Sequence, residues 1–386
     1  MIKKIFAIIF FAHCVANLTA QTTEKTVKGN ADFAFELFKN IYSADKNSFI
    51  SPYSISTALA MTYGGARNET ERQMSMVMHY DLNQVNTHQG FSDLKTHLGK
   101  LSNGSSLKLS IANALWKSES MHFKKEYLDL TTKYYDASIY PLNGARPINS
   151  WAERNTNGMI KEIVSDHDLI DARLVLTNAI YFKGDWLSEF KEKNTRKTLF
   201  KTLKGNKDSV DMMQKVDDVN YYEDEHTQVL ELPYKGESVS MIIILPKENS
   251  SINDLVTSID RKQFSLYRSK LRKQEVVIYL PKFSFESEYH LESILPKMGM
   301  PDAFNPSRAD FSGMSAGLSI SQVVHKAVIE VNERGSEAAA VTSVVAVVTS
   351  KREQNVFNAN RPFLIFICDK QTNSILFMGS VVDPAD

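Results

Sequence analysis

The sequence has very little cysteine. Only two of its 386 residues are cysteines, and Cys14 lies in an N-terminal segment that we expect to be removed. Cys368 would then be the only thiol of the mature protein, which excludes an internal disulfide and leaves packing as the source of stability. Because Cys368 follows the apolar run 363–367, we expect it to be a small buried side chain rather than a nucleophile.

The chain also lacks net charge. Lysine and arginine together number 45, as do aspartate and glutamate, so no global field attracts nucleic acid or an anionic membrane. We therefore expect no nucleic-acid partner and no membrane partner. One basic cluster favours a solvated helix face, with polyanion binding as the alternative; its members are Arg261, Lys262, Arg268, Lys270, Arg272 and Lys273.

The N-terminal apolar run is short. Lys3 and Lys4 precede apolar residues 5–12, and mostly small or polar residues follow at 17–20. This order is typical of a secretory signal, and the run falls well short of the roughly 20 residues that span a bilayer. We predict a signal peptide at 1–20, a single mature domain at 21–386, and a secreted, extracellular protein. In a bacterium, export would lead to the periplasm or the cell surface.

Motifs for metal and cofactor chemistry are missing. The histidines show no pair at helical spacing and no cysteine partner, and no glycine-rich phosphate loop follows a strand, so we predict no metal and no cofactor. The residues Gly313-Met-Ser315-Ala-Gly317 match the nucleophile elbow of serine hydrolases, and His325 follows. An elbow needs a strand before it and a helix after it, whereas 304–312 is turn-like and 318–324 alternates as a strand. We therefore expect that the protein is not an enzyme.

Periodicity divides the chain into a mainly helical first half and a mainly β second half, without a linker or repeat. This favours one mixed α+β domain. Predicted helices are 32–42, a helix from Pro52 that stops at Gly64-Gly65, 69–79, 127–135, 148–164, 252–258 and 291–298. Predicted strands are 107–116, 175–182, 227–232, 238–245, 275–280, 283–285, 318–324, 327–331, 363–367 and 375–381.

The segment 333–349 combines small and β-branched residues without a turn signal. Between Gly335 and Thr349 the only charge is Glu337. Every second residue from Ser336 to Val348 is small enough to be buried on one face of a strand, and Glu337 falls on the other face. Polar residues then follow at 349–355 and favour a solvent-exposed loop. A buriable strand joined to an exposed loop indicates a conformational switch.

Four separated blocks resemble the serpin family in the family's order. They are NSFISPYSISTALAMTYGGARNETERQ at 47–73, LTNAIYFKGDW at 176–186, VVHKAVIEVNERGSEAAA at 323–340 and FNANRPFLIFI at 357–367. The resemblance covers nearly all of the mature chain. It implies a serpin fold with three β-sheets, eight or nine helices and an exposed reactive-centre loop at about 335–356.

The resemblance also implies a function. A serpin of the inhibitory type is a suicide substrate: a serine or cysteine endopeptidase attacks the loop, and the cleaved loop inserts into the central sheet while the acyl-enzyme is still intact. The alternative is a non-inhibitory serpin that acts as a binding or carrier protein. We expect a monomer, and the openable sheet makes it prone to loop-sheet polymerisation.

Particular residues match the family's functional positions. The hinge would comprise Glu333, Gly335, Ser336, Glu337, Ala338, Ala339 and Ala340. Buried polar and aromatic residues that control sheet opening, called the shutter and the breach, would be Ser51, Ser54, Asn178, Trp186 and His325. An ion pair between Lys282 and Glu333 would hold the root of the loop. The small, uncharged Ser336 is typical of an inhibitory hinge.

The resemblance also implies the place of the reactive bond. Counting the family's 17 residues from Glu333 gives Thr349-Ser350, whereas counting back from 360–363 with the shortest loop of the family gives Lys351-Arg352, and Val348-Thr349 is a third alternative. A protease selects its bond by the size and charge of the residue before the cut. Thr349 or Val348 before the cut therefore favours an elastase-like protease, and Lys351 favours a trypsin-like one. A papain-like enzyme that selects an apolar residue one place earlier in the loop would accept Val348.

Overall fold

The structure is a computed structural model that describes residues 2–101, 107–205, 207–335 and 354–385, with side chains from Gln21 onward except at 207 and 208. Within these ranges the chain is a mixture of helices and strands. The helices are α1 Ile2–Ile41, α2 Pro52–Tyr63, α3 Asn68–Val77, α4 Gln84–Gly99, α5 Lys125–Tyr135, α6 Ala145–Asn155, α7 Ile252–Ser258, α8 Arg261–Lys270 and α9 Leu295–Met298. The strands are β1 Ser48–Ile50, β2 Leu107–Lys117, β3 Ser138–Pro141, β4 Leu174–Gly184, β5 Arg196–Lys201, β6 Lys207–Glu223, β7 Thr227–Pro233, β8 Val239–Pro246, β9 Arg272–Pro281, β10 Phe283–His290, β11 Gln322–Val331, β12 Asn355–Asn358, β13 Phe363–Asp369 and β14 Ile375–Val381.

One sheet has five strands in the order β10-β11-β4-β2-β3. Its central pair, β11 and β4, is parallel, whereas β10 pairs with β11 and β2 pairs with β4 in antiparallel orientation. Every residue of β4 except Lys183 is buried, as expected for a strand that is covered on both faces. The prediction of a strand at 175–182 is thus confirmed.

The remaining nine strands form one hydrogen-bonded set with the order β1-β14-β13-β8-β7-β6-β9-β12, and β5 pairs with β6. The set has two parts, because β6 and β7 are paired only through Asn220–Glu223. One part holds β1, β14, β13, β8 and β7, and the other holds β5, β6, β9 and β12. Together with the five-stranded sheet, these parts account for the three predicted sheets.

The main core lies between α1, α2, α8 and the strands β8, β13 and β14. Phe264 of α8 packs on Phe366 of β13 at 4.4 Å between ring centroids, and Phe49 stacks on Phe377 at 5.1 Å. Cys368 is fully buried in β13, and burial raises the pKa of its thiol to about 12. The prediction of a buried cysteine is therefore confirmed.

Three local predictions were wrong. The helix predicted at 148–164 ends at Asn155, because Asn157 and Gly158 adopt positive φ angles that a helix cannot continue. The strand predicted at 318–324 begins only at Gln322, after a turn with positive φ at Gly317. The basic cluster is not one helix face either, because Arg272 and Lys273 belong to β9.

Helix α1 continues through the predicted signal segment. From Thr22 onward its side chains take part in the core, with Phe33 and Leu37 fully buried. In the part of the chain that the structure describes, none of the helices combines the length and apolar character needed to cross a bilayer. The cleavage site near Ala20 stays a prediction.

Candidate functional site

The predicted shutter residues converge where α2 meets the five-stranded sheet. Ser51 is the N-cap of α2 and Pro52 follows at its first turn, a combination that starts a helix at a fixed residue. Asn178 lies in β4 and His325 in β11, directly opposite each other in the parallel register. The three side chains are buried, at 0%, 2% and 0% exposure in that order, so their polar atoms need partners inside the protein.

A continuous hydrogen-bond network satisfies these groups. The Ser51 hydroxyl donates to the carbonyl oxygen of Leu376 at 2.6 Å, and the Ser51 amide donates to Nε2 of His325 at 3.1 Å. The Asn178 amide donates to the Ser54 hydroxyl and to Oδ1 of Asn113. Helix α2 and the strands β2, β4, β11 and β14 are thereby connected through one buried cluster, so β4 and β11 cannot separate without breaking it.

The network fixes the tautomer of His325. A backbone N–H can only donate, so Nε2 is the acceptor and Nδ1 carries the hydrogen, which it donates to Oδ1 of Asn178 at 2.5 Å. Complete burial lowers the pKa of His325 to about 3, so the imidazole is neutral at physiological pH. Protonation would place a second donor against the Ser51 amide and charge the centre of the sheet.

The predicted breach residue Trp186 follows the end of β4. It is 1% exposed and stacks on Tyr234, with ring centroids 4.7 Å apart and planes 11° from parallel. Its indole Nε1 donates to the carbonyl oxygen of Asn332 at 3.0 Å. Its backbone N–H donates to the carbonyl oxygen of Arg334 at 2.7 Å. Trp186 therefore anchors the end of β4 to the turn that follows β11.

That turn reverses the chain at Gly335. Asn332 and Gly335 exchange backbone hydrogen bonds, and Gly335 forms an antiparallel bridge with Asp185. Gly335 has φ 126°, and a Cβ at this position would lie 2.2 Å from the carbonyl oxygen of Gly184. Both the torsion and the close approach require glycine. The described chain thus ends its path along β11 with a tight turn towards β4.

The predicted ion pair at the loop root is present. Nζ of Lys282 lies 3.0 Å from Oε2 of Glu333, and the Thr195 hydroxyl donates to Oε1 at 2.8 Å. Burial would raise the pKa of Glu333, but the hydrogen bonds from Thr195 and Lys282 outweigh it and hold this pKa below its usual value. Glu333 is therefore charged at neutral pH and fixes the residue next to the turn.

The pairing of β4 with β11 covers only part of the two strands. It runs from Val175–Gln322 to Ile180–Ala327, whereas β4 continues to Gly184 and β11 to Val331. The Gly335 turn lies at this end of the pair. A strand that continued from Gly335 along its bridge to Asp185 would run antiparallel to both β4 and β11, which is the orientation that would let it pair with each of them.

The remaining predicted loop residues lie outside the described residues. They are the hinge positions Ser336, Glu337, Ala338, Ala339 and Ala340, and the reactive-bond candidates Val348, Thr349, Ser350, Lys351 and Arg352. On the far side of this stretch, the chain enters β12, which pairs in parallel with β9. The last positions of the predicted loop, Asn355 and Val356, therefore belong to a strand.

The elbow-like motif does not form a serine hydrolase site. The Ser315 hydroxyl lies 3.8 Å from Sδ of Met121. Both ring nitrogens of His325 are engaged in the shutter network, with Ser51 and Asn178. The motif lies in turns rather than between a strand and a helix. The Ser–His pair on which acyl transfer would depend is therefore absent from this region.

Sequence reasoning missed several members of the site. Asn113 lies directly opposite Asn178 in the antiparallel register of β2 and β4; an asparagine inside an alternating apolar strand was the available signal. Thr195, Tyr234 and Asn332 belong to separate segments. No local pattern marks them, because their roles depend on tertiary contacts with Glu333 and Trp186.

Comparison with known proteins identifies the family. Residues 28–384 match the family model described as Serpin (serine protease inhibitor). Human Serpin B4 is 39% identical over 388 residues, which cover 92% of this chain and 99% of the relative. The leukocyte elastase inhibitor of Xenopus tropicalis is 39% identical over 373 residues, covering 91% and 97%.

Solved structures give the same answer. The native state of the thermophilic serpin tengpin superposes with a TM-score of 0.86 at 34% identity, covering 92% of this chain and 94% of the other. The complex of thyroxine-binding globulin with thyroxine has a TM-score of 0.84 at 30% identity, covering 93% and 99%. The fold and the site define a protein of the serpin class. The chain belongs to the serpin family, as the four sequence blocks predicted.

Proposed function

We propose that this protein is a secreted suicide-substrate inhibitor of serine endopeptidases. A target protease would attack the loop between Gly335 and β12 and form an acyl-enzyme with the residue before the cut. The freed strand would then enter the five-stranded sheet between β4 and β11 and carry the protease with it. Distortion of the oxyanion hole would stop deacylation, since that step depends on the placement of its hydrogen-bond donors.

The observation that carries this proposal is the combination of a parallel β4–β11 pair with the turn at Gly335. The bridge of Gly335 to Asp185 is antiparallel and lies beside the end of the pair where β4 and β11 extend past their paired register. An inserted strand would complete backbone pairing on both sides. If about 14 inserted residues each gain a net hydrogen bond of roughly 1 kcal/mol, insertion contributes on the order of 10 kcal/mol.

The hinge sequence supports an inhibitory type. Ser336, Ala338 and Ala340 are small and uncharged, so the face that would enter the sheet buries no charge. Glu337 would stay on the opposite face. A monomer whose loop is not inserted would also have a route to loop-sheet polymers, because the same position between β4 and β11 could accept a loop from another molecule.

The target protease follows from the reactive bond. We propose Thr349-Ser350, with Lys351-Arg352 and Val348-Thr349 as alternatives, and therefore an elastase-like enzyme before a trypsin-like or papain-like one. One similar protein is named as an inhibitor of leukocyte elastase, which supports the first choice. Export is proposed from the segment 1–20, and the N-terminal sequence of the mature protein would test cleavage near Ala20.

The test of inhibition is the formation of a covalent complex. The protein would be mixed with elastase, trypsin and papain and examined by denaturing electrophoresis. A complex that survives SDS, with the mass of inhibitor plus protease, is the expected result with at least one enzyme. Mass spectrometry of the released C-terminal fragment would then locate the bond. Complete loop cleavage by all three enzymes without a complex would refute inhibition.

A second candidate function is that of a carrier. It is favoured by the similarity to thyroxine-binding globulin, whose structure was solved with thyroxine. A carrier need not trap a protease, so loop cleavage would leave its thermal stability unchanged. Comparing the thermal unfolding of the intact and the loop-cleaved protein therefore separates the two functions.

A further inference from the structure

Three valines form an exposed row across the strands next to the end of the loop. Val216 of β6 pairs with Val277 of β9, and Val277 pairs with Val356 of β12. Val216 is 55% exposed and Val356 44% exposed, and Val277 is partly exposed between them. Directly paired residues share one face of a sheet, so the three side chains form one continuous apolar strip.

The surroundings of this valine row are polar. On the same face, Gln214 and Tyr279 form the next pair of the β6–β9 register on one side of the valine row, and a hydrogen bond of 3.1 Å joins their side chains. On the other side are Asp218 and Glu275, both exposed. On the opposite face, β9 contributes buried apolar residues, with Val276 and Ile278 at 0% exposure. An apolar strip with a polar border on a solvated face is typical of a contact surface.

The position of the row connects it to the loop. Val356 is two residues after Gln354, where the described chain resumes. The proposed reactive residue Thr349 is seven residues before Val356, so the extended chain between them spans at most about 25 Å. A protease domain of about 200 residues is about 40 Å across. An enzyme bound at the reactive bond must therefore stand within its own diameter of the row.

Chain order also indicates which side of a bound protease would face the valine row. Residues after the cut leave the cleft of the protease on its leaving-group side and lead directly into β12. The protease surface on that side is thus brought towards the valine row, before insertion and independently of it. We propose that Val216, Val277 and Val356 form a secondary contact site for the target protease. This site would bind an apolar patch on the protease, beside the leaving-group side of the protease's cleft. This proposal rests on the proposed inhibitory function and adds a determinant of protease selectivity outside the loop.

Valine also suits exposed strand faces by its β-propensity alone. Threonine separates the two roles, because it keeps the β-branching and replaces one methyl group by a hydroxyl group. The test variant is Val216→Thr/Val277→Thr/Val356→Thr. The control is Val85→Thr, which changes a valine that is 65% exposed in α4, a helix that packs on α1, α2 and α5.

The readout is the association rate constant with elastase, trypsin and papain, together with the stoichiometry of inhibition. For the trapped protease, the triple variant should associate about tenfold more slowly with unchanged stoichiometry, a factor that corresponds to about 1.4 kcal/mol. Val85→Thr should match the wild type. Equal rates for the triple variant and the wild type would overturn the proposal, even if the variant were less stable to heat.

A second measurement keeps this test independent of trapping. Binding of the intact protein to elastase or trypsin with the catalytic serine replaced by alanine reports the encounter alone. A weaker affinity of the triple variant supports the contact site, and equal affinity, or no binding of the wild type, rejects it. A wild type that binds the inactive enzyme but forms no SDS-stable complex with the active one would refute the inhibitory function while leaving the contact site supported.

Discussion

Acidification should loosen the five-stranded sheet through His325. This side chain accepts a hydrogen bond from the backbone N–H of Ser51 and donates one to the side chain of Asn178, and burial lowers its pKa to about 3. In the unfolded chain the pKa of histidine is about 6.5. The unfolded state therefore binds the proton first, so the stabilisation is complete above about pH 6.5 and is lost as the pH falls from there towards 3.

The size of the effect follows from this difference in pKa. A histidine that stays neutral in the fold lowers the free energy of unfolding by about 1.4 kcal/mol per pH unit below about 6.5. Between pH 7 and pH 5 the decrease is about 2 kcal/mol in total. Carboxylates with ordinary pKa values contribute little in this range. His88 is also buried with its pKa lowered to about 4, so a comparison with a variant at His325 is needed to isolate one residue.

The assay compares the wild type with His325→Gln. Guanidinium midpoints for loss of the native state at pH 7 and pH 5 give the pH-dependent change in free energy for each protein. Glutamine does not titrate, so the variant should lose about 2 kcal/mol less than the wild type over this interval, although it is less stable at both pH values. The same loss in both proteins, within about 0.5 kcal/mol, would refute the assignment of His325 as the acid-sensitive group of the shutter.

Two further predictions concern the hinge. Ser336→Arg should convert the inhibitor into a substrate, with a several-fold rise in the stoichiometry of inhibition, because arginine would be the first side chain to enter the sheet. The control variant Glu337→Arg, on the predicted outer face, should trap the protease as the wild type does. Equal trapping by both variants would count against insertion. Gly335→Ala should lower the free energy of unfolding by at least about 2 kcal/mol, since it adds a clash to the cost of a positive φ. Gly236→Ala, with φ 86° and open space around the glycine, should lose only about 1 kcal/mol, and equal losses in guanidinium unfolding would contradict the close packing at Gly335.

Local signals predicted much of the fold. The helix α2 follows from the Ser51 cap, Pro52 and the Gly64-Gly65 stop, and its observed bounds match. The strands β13 and β14 follow from long apolar runs. The polar strand β6 was missed, because its outward residues include Gln214 and Asp218 and its inward ones include Lys215. Lys215 lies over the ring of Phe190 at 4.7 Å and is paired with Asp217, contacts that no periodicity shows.

The candidate site shows a similar division. The resemblance named Ser51, Asn178 and His325, which hydrogen bonds join in one network, and Lys282 and Glu333, which form an ion pair. It did not give the register of β4 with β11 or the bridge of Gly335 to Asp185. Those features depend on pairing between residues about 150 positions apart, and local sequence carries no record of it. The tautomer of His325 likewise follows only from its partners.

The most direct test of the central claim compares the thermal stability of the intact and loop-cleaved proteins. The loop would be cut by a protease that does not form a complex, and both forms would be heated under identical conditions. If the native chain holds a strand that its sheet can accept, the cleaved form should unfold at a temperature at least about 10 °C higher, since insertion contributes on the order of 10 kcal/mol in a domain of this size. A cleaved form that unfolds at the same or a lower temperature would contradict the account.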